Sequence, residues 1–134
     1  MVRIVVVLLK LPDGKVVFQR RDQGARISAG LLGFFGGQIE PDEIPDDAIK
    51  RELGEETSLD VSKLSMRFLS SFELSAQQTR APEDRTFFLY ETFIPDLNFK
   101  VREGERAEAY TKAEALSRGD LTVSAQYIIK NFVI

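Results

Sequence analysis

Glu52, Glu55 and Glu56 are the residues of this sequence best placed to do chemistry. At i, i+3 and i+4 of a helix their carboxylates share one face, with Cβ atoms about 5–6 Å apart. Three like charges crowded in this way repel, and a solvated acidic face is the ordinary outcome. A divalent cation turns the repulsion into coordination, because hard cations take several carboxylate and carbonyl oxygens together. The composition narrows the chemistry further, since the 134 residues include no cysteine and no histidine. Thiolate nucleophiles, imidazole bases and cysteine-ligated zinc are excluded. A metal site has to be built from oxygen, which favours Mg²⁺, with Mn²⁺ as a substitute, over zinc. A net charge of −3 argues against a nucleic-acid polymer as partner, because a duplex binder needs a clustered excess of Lys and Arg. A small anionic ligand whose charge is offset by cations remains compatible.

The glutamates stand at a specific distance from an upstream glycine. Gly37, five residues, Glu43, seven residues and then Arg51-Glu52-Leu53-Gly54-Glu55-Glu56-Thr57-Ser58-Leu59 resemble the Nudix box. That box runs Gly-x5-Glu-x7-Arg-Glu-U-x-Glu-Glu-x-Gly-U with U apolar, and all but one of its defined positions are filled. The sharp match covers residues 37–59, and the order of elements around it is similar to that of short MutT-like members. The resemblance implies an α/β fold, an α/β/α sandwich with a mixed β-sheet, the box helix on one side and a C-terminal helix on the other. It also implies an Mg²⁺-dependent hydrolase that cleaves the phosphoanhydride bond of a nucleoside triphosphate or other nucleoside diphosphate derivative. Water would attack phosphorus in line while cations offset the phosphate charge. A nucleotide-sugar or dinucleotide hydrolase is the alternative. A noncatalytic nucleotide-sensing module is a third reading, against which the intact glutamates argue.

Residue by residue, Glu52, Glu55 and Glu56 match the family's metal-holding catalytic carboxylates, and the Gly37 carbonyl matches a further ligand. Glu43 and Arg51 match the pair that ties the preceding loop to the helix, a structural role. Glu103 lies in a loop where MutT-like members place an additional metal-binding or base carboxylate; Glu105 competes with it, and a solvated loop glutamate is the plain alternative. Arg20 and Arg21 end a strand and are candidates for substrate phosphate or sugar, with alternation admitting only one of them to the site. Phe35 and Gly36 are further substrate-binding candidates. Departures from the pattern count against an oxidised-guanine nucleotide. Phe35 replaces a proline, Gly33 stands where a larger polar residue is common, and Ala125 beside Gln126 replaces a purine-reading asparagine. Ser58 replaces the box glycine at an expected positive-φ position, at a cost of about 1 kcal/mol.

Around these residues the pattern predicts strands over 2–9 and 16–21 joined by a turn at Pro12-Asp13-Gly14. A loop over 22–30 and short glycine-broken extended segments over 31–40 follow. Pro45, Asp46 and Asp47 mark the start of a helix over 46–57, with Ala48, Ile49 and Leu53 facing inward. Strands over 64–74 and 86–94 are expected, the second central because it is aromatic on both faces, with 75–85 as a loop. Thr111 and Glu114 have capping-box spacing for a short helix over 112–116, and a last helix spans 124–132. The apolar run 4–9 is too short for a signal h-region or a membrane span. We therefore expect one domain over 1–134, cytoplasmic, monomeric or homodimeric, acting on a small-molecule nucleotide.

Overall fold

The computed structural model describes residues 1–134. Strand β1 (Val2–Lys10) turns at Gly14, whose φ of 86° suits glycine, into β2 (Val16–Arg20). Strands β3 (Leu32–Gly33) and β4 (Phe35–Gln38) follow, then helix α1 (Pro45–Glu56). A 3₁₀ turn over Val61–Lys63 precedes β5 (Arg67–Leu74), α2 (Ala76–Thr79) and β6 (Arg85–Phe93). The chain ends with β7 (Arg106–Tyr110), α3 (Lys112–Ser117) and α4 (Val123–Phe132). No helix is long and apolar enough to cross a membrane.

The sheet is mixed, ordered β3-β2-β1-β6-β5, with β4 pairing β1 and β7 pairing β2. β1 runs parallel to β6 from Val2 opposite Arg85 to Lys10 opposite Phe93. Along its other edge β1 is shared, pairing with β4 at Ile4–Val7 and with β2 at Leu9 and Lys10. β2 in turn leaves β1 for β3 at Gln19 and Arg20. Segment 32–38 thus fills a wedge between β1 and β2, and the functional cleft opens along it.

Alternation in β1 divides the core. Val5, Val7 and Leu9 pack with Ala48, Ile49 and Leu53 of α1, while Val6 and Leu8 pack with Ala125, Ile128 and Ile129 of α4. Helices therefore cover both faces of the sheet, the expected sandwich. Ile49 and Leu53 are fully buried, each contributing about 1.5–3 kcal/mol from desolvation and so fixing α1 against β1 and β4. β6 is flanked on both edges, by β1 and β5.

Three elements differ from expectation. The strand expected from residue 64 starts at Arg67, because Asp60 accepts from Ser62 N and caps the 3₁₀ turn instead. The expected loop 75–85 contains α2, where Ser75 and Gln78 complete a capping box. β7, sequence RAEAY, lacks a strong apolar alternation and forms by pairing with β2.

Candidate active site

The last turn of α1 carries Glu52 and Glu56 into a cleft of about 620 Å³ that Gln19, Arg21, Gly36, Gly37, Arg85 and Glu103 also line. Glu56 is only 3% exposed. Its carboxylate accepts from Gly36 N at 2.8 Å and from Gln19 Nε2 at 3.4 Å, and no basic side chain pairs with it. Burial, with the charges of Glu103 and Glu52 added, pushes its carboxyl up to about 8, against the pull of the Gly36 amide. Burial raises Glu52 too, opposed by the Arg51 guanidinium 2.9 Å away. A Cβ on Gly37 would overlap the Glu52 carboxyl as it stands, so backbone and carboxylate meet closely there.

Glu103 faces these two from the loop between β6 and β7. That loop is stitched to the end of α1: Arg102 N donates to Glu56 O at 2.7 Å, and Lys100 N to Ser58 Oγ at 2.8 Å. Glu105 N donates to Arg20 O at 2.8 Å, and Gly104 takes φ 90° where it passes over β2.

The structure places several expected residues elsewhere. Glu55 is 57% exposed beyond Arg51, which donates to it at 3.4 Å, and does not line the cleft. Glu105 pairs with Arg106. Phe35, expected at the substrate, is fully buried on the α1 face, opposite Val7 and edge-on to Phe99. Arg20, also expected there, lies on the other face, bound to Glu108 at 2.8 Å and Asp120 at 3.0 Å. Arg21, beyond the strand end, is the one that reaches the cleft, its Nε anchored on Ile27 O. Gly36 lines the cleft. Ser58 has no positive φ, because α1 ends on an extended Thr57, and its hydroxyl serves the Glu103 loop instead of costing strain. Ala125 is core, and Thr122, Val123 and Ser124 line a smaller cavity of about 180 Å³. Gln19 and Arg85 were not anticipated. Arg85 lies on the wall common to both cavities, and its Nε is buried without a partner. The signal for Gln19 was a polar residue two places after Val17 on a strand's inward face.

No three carboxylates converge closely enough to form a finished cation cage. Arg51 draws Glu52 and Glu55 toward itself while Gly36 N holds Glu56. The residues nevertheless fit a hard divalent cation. Glu56 is a buried carboxylate without a counter-charge, the Gly37 backbone lies against Glu52, and every donor is oxygen.

Glu43 and Arg51 fasten this arrangement. Arg51 donates to Glu43 at 2.7 and 2.8 Å and to Gln38 O at 3.1 Å, holding the Glu43 carboxyl down at about 2. Arg51→Ala is expected to lower the melting temperature by several degrees, because the charge-assisted bonds to Glu43 and the bond to Gln38 O that fix α1 to the preceding loop are lost. A variant that melts like the parent yet has lost all turnover would move Arg51 into the chemistry.

Comparison with known proteins agrees with this geometry. Residues 1–132 match the family profile described as NUDIX domain. The chain is 30% identical over 105 residues to the CTP pyrophosphohydrolase of Escherichia coli (strain K12), covering 78% of this chain and 70% of that protein. Among solved structures, the MutT protein from Methanosarcina mazei Go1 superposes with TM-score 0.83 at 17% identity, covering 98% of this chain and 91% of that one. The E. coli dihydroneopterin triphosphate pyrophosphohydrolase superposes with TM-score 0.78 at 17% identity, covering 98% and 94%. With Glu52 and Glu56 of the box lining the cleft and the family profile spanning nearly every residue, the chain belongs to the Nudix family and is a MutT-like pyrophosphohydrolase acting on acid anhydrides.

Proposed function

We propose that the protein is an Mg²⁺-dependent nucleoside triphosphate pyrophosphohydrolase that prefers a pyrimidine base. The observation that carries this reading is the buried, uncompensated Glu56 at the head of a cleft continuous with a smaller cavity. Glu52, Glu56, Glu103 and the Gly37 carbonyl are the groups that would hold the cation. When bound, it would offset phosphate charge and polarise the phosphoanhydride. Arg21 and Arg85, the guanidiniums next to Gly36 and Gly37, orient the phosphate chain by charge-assisted bonds. Glu103, on the opposite wall from α1, takes the proton of the attacking water. The base enters the smaller cavity of about 180 Å³. Similarity to a CTP pyrophosphohydrolase supports that preference.

The test is a panel of ribo- and deoxynucleoside triphosphates with ADP-ribose and a dinucleoside polyphosphate, products being identified by ion-exchange chromatography and phosphorus NMR. We expect CTP to give CMP and pyrophosphate fastest, with Mg²⁺ or Mn²⁺, none in excess chelator and no rescue by zinc. Undiminished turnover in chelator would end the cation assignment. Preferential cleavage of ADP-ribose would replace the triphosphate reading with the nucleotide-sugar one.

A further inference from the structure

Gln19 sits where an apolar residue would be expected. It follows Val17 on the α1-facing side of β2, is 4% exposed, and its backbone is paired on both sides, with Gly33 and with Ala107. Burying an amide there is unfavourable unless its polar atoms are bonded. Nε2 donates to Glu103 O at 2.8 Å and to Glu56 Oε2 at 3.4 Å. Only the NH₂ end can donate to a carbonyl, so this bond fixes the amide's orientation. One nitrogen therefore reaches both walls of the cleft, the end of α1 and the β6–β7 loop. Glu52 and Glu56 on one wall and Glu103 on the other line a single cleft. Gly104 shows how closely the loop is held: a Cβ there would lie 2.9 Å from both Arg20 O and Gln19 Cγ.

We propose that Gln19 is a positioning residue that holds the Glu103 loop at a fixed distance from Glu56, so that the carboxylates of the two walls act on one substrate. The inference rests on the hydrolase reading above. It predicts an effect on turnover and cation binding transmitted through Glu103, with little effect on substrate capture.

Gln19→Met keeps length and bulk while deleting both donated bonds. Cation affinity is measured by Mn²⁺ titration calorimetry without nucleotide, kcat and KM with CTP, and loop order by hydrogen exchange of the Arg102–Glu105 amides. We expect kcat and Mn²⁺ affinity each to fall roughly 10–100-fold, the range for removing a partner that orients a ligand. KM should stay within about twofold, while the loop amides exchange faster and those of β1 and β6 do not. Repeating the substitution in a Glu103→Ala background separates positioning from packing: a positioning role predicts little further loss, an independent structural role the full loss again. If Gln19→Met does not fold, Gly104→Ala displaces the same loop by pressing its Cβ on Arg20 O and the Gln19 side chain, and should reproduce the kcat and exchange effects. Unchanged kcat, affinity and exchange, or full additivity, would overturn the proposal. A parent protein inert toward every nucleotide would instead overturn the hydrolase reading, while hydrogen exchange would still decide whether Gln19 holds the loop.

Discussion

Glu56→Gln should lower turnover by on the order of 10³-fold, comparable to losing one preorganised electrostatic contact. The substitution keeps shape and removes the most buried of the site carboxylates, 3% exposed beneath Gly36. Gly36 N still finds an oxygen acceptor, so the fold survives. In chelator the variant should melt within a few degrees of the parent. Mg²⁺ then separates the two, because a ligand bound only to the native state stabilises it by about 2.7 kcal/mol at a hundred times its Kd. The parent should gain that increment and the variant most of it not at all. Melting curves with and without Mg²⁺, run beside pyrophosphate release, check both halves. An active variant whose melting responds to Mg²⁺ like the parent's would remove Glu56 from the site.

The largest stability effect is expected at Arg20. Its guanidinium is 11% exposed and binds Glu108 through two nitrogens at 2.8 and 2.9 Å, Asp120 at 3.0 Å and Gly30 O at 3.1 Å. Arg20→Met should cost about 3 kcal/mol, the low end for breaking a buried ion pair, since Arg106 and Arg118 remain beside the carboxylates. That is roughly 10–15 °C in melting temperature. KM should not follow. Arg20 holds the Glu108 carboxyl at about 2, from 4.5, and Arg118 with Arg20 holds Asp120 at about 2, from 3.8. Both lie below their unfolded values, so the stability they supply is fully present above about pH 4.5 and is lost as pH falls toward 2. The parent should lose stability steeply across that window in urea titrations and Arg20→Met much less. Equal slopes would place the stabilisation elsewhere.

Much of this was legible in the residues. The continuous apolar run of β1, the turn at Gly14, the inward stripe of α1 and the capping pair of α3 are local signals, and each formed where it stood. The box spacing put Glu52 and Glu56 on one face because a helix turn fixes it, and both line the cleft. What could not be read was set by the third dimension. Phe35 and Arg20 belong to strands whose facing depends on pairing register, and one place of register decides between cleft and core. Glu55 looked equivalent to its neighbours, but it stands exposed beyond Arg51, outside the cleft. Burial of Glu56 depends on Gly36, twenty positions away, so the sequence pattern alone suggested an exposed face. β7 carries small and charged residues and takes its strand character from β2.

The parallel partnership of β1 with β6 also governs how the molecule comes into being. Leu8 and Leu9 of β1 have no register partner on that side until residues 91 and 92 are present, so a large loop must close before either layer is complete. Contacts of that separation slow folding relative to helical or hairpin chains of similar size. During synthesis the apolar stretch Val5–Leu9 therefore waits, with an open edge, for a strand made much later. A chain halted before Arg85 would lose the central pairing of both layers, and its exposed β-branched segment would be prone to pair with other copies of itself.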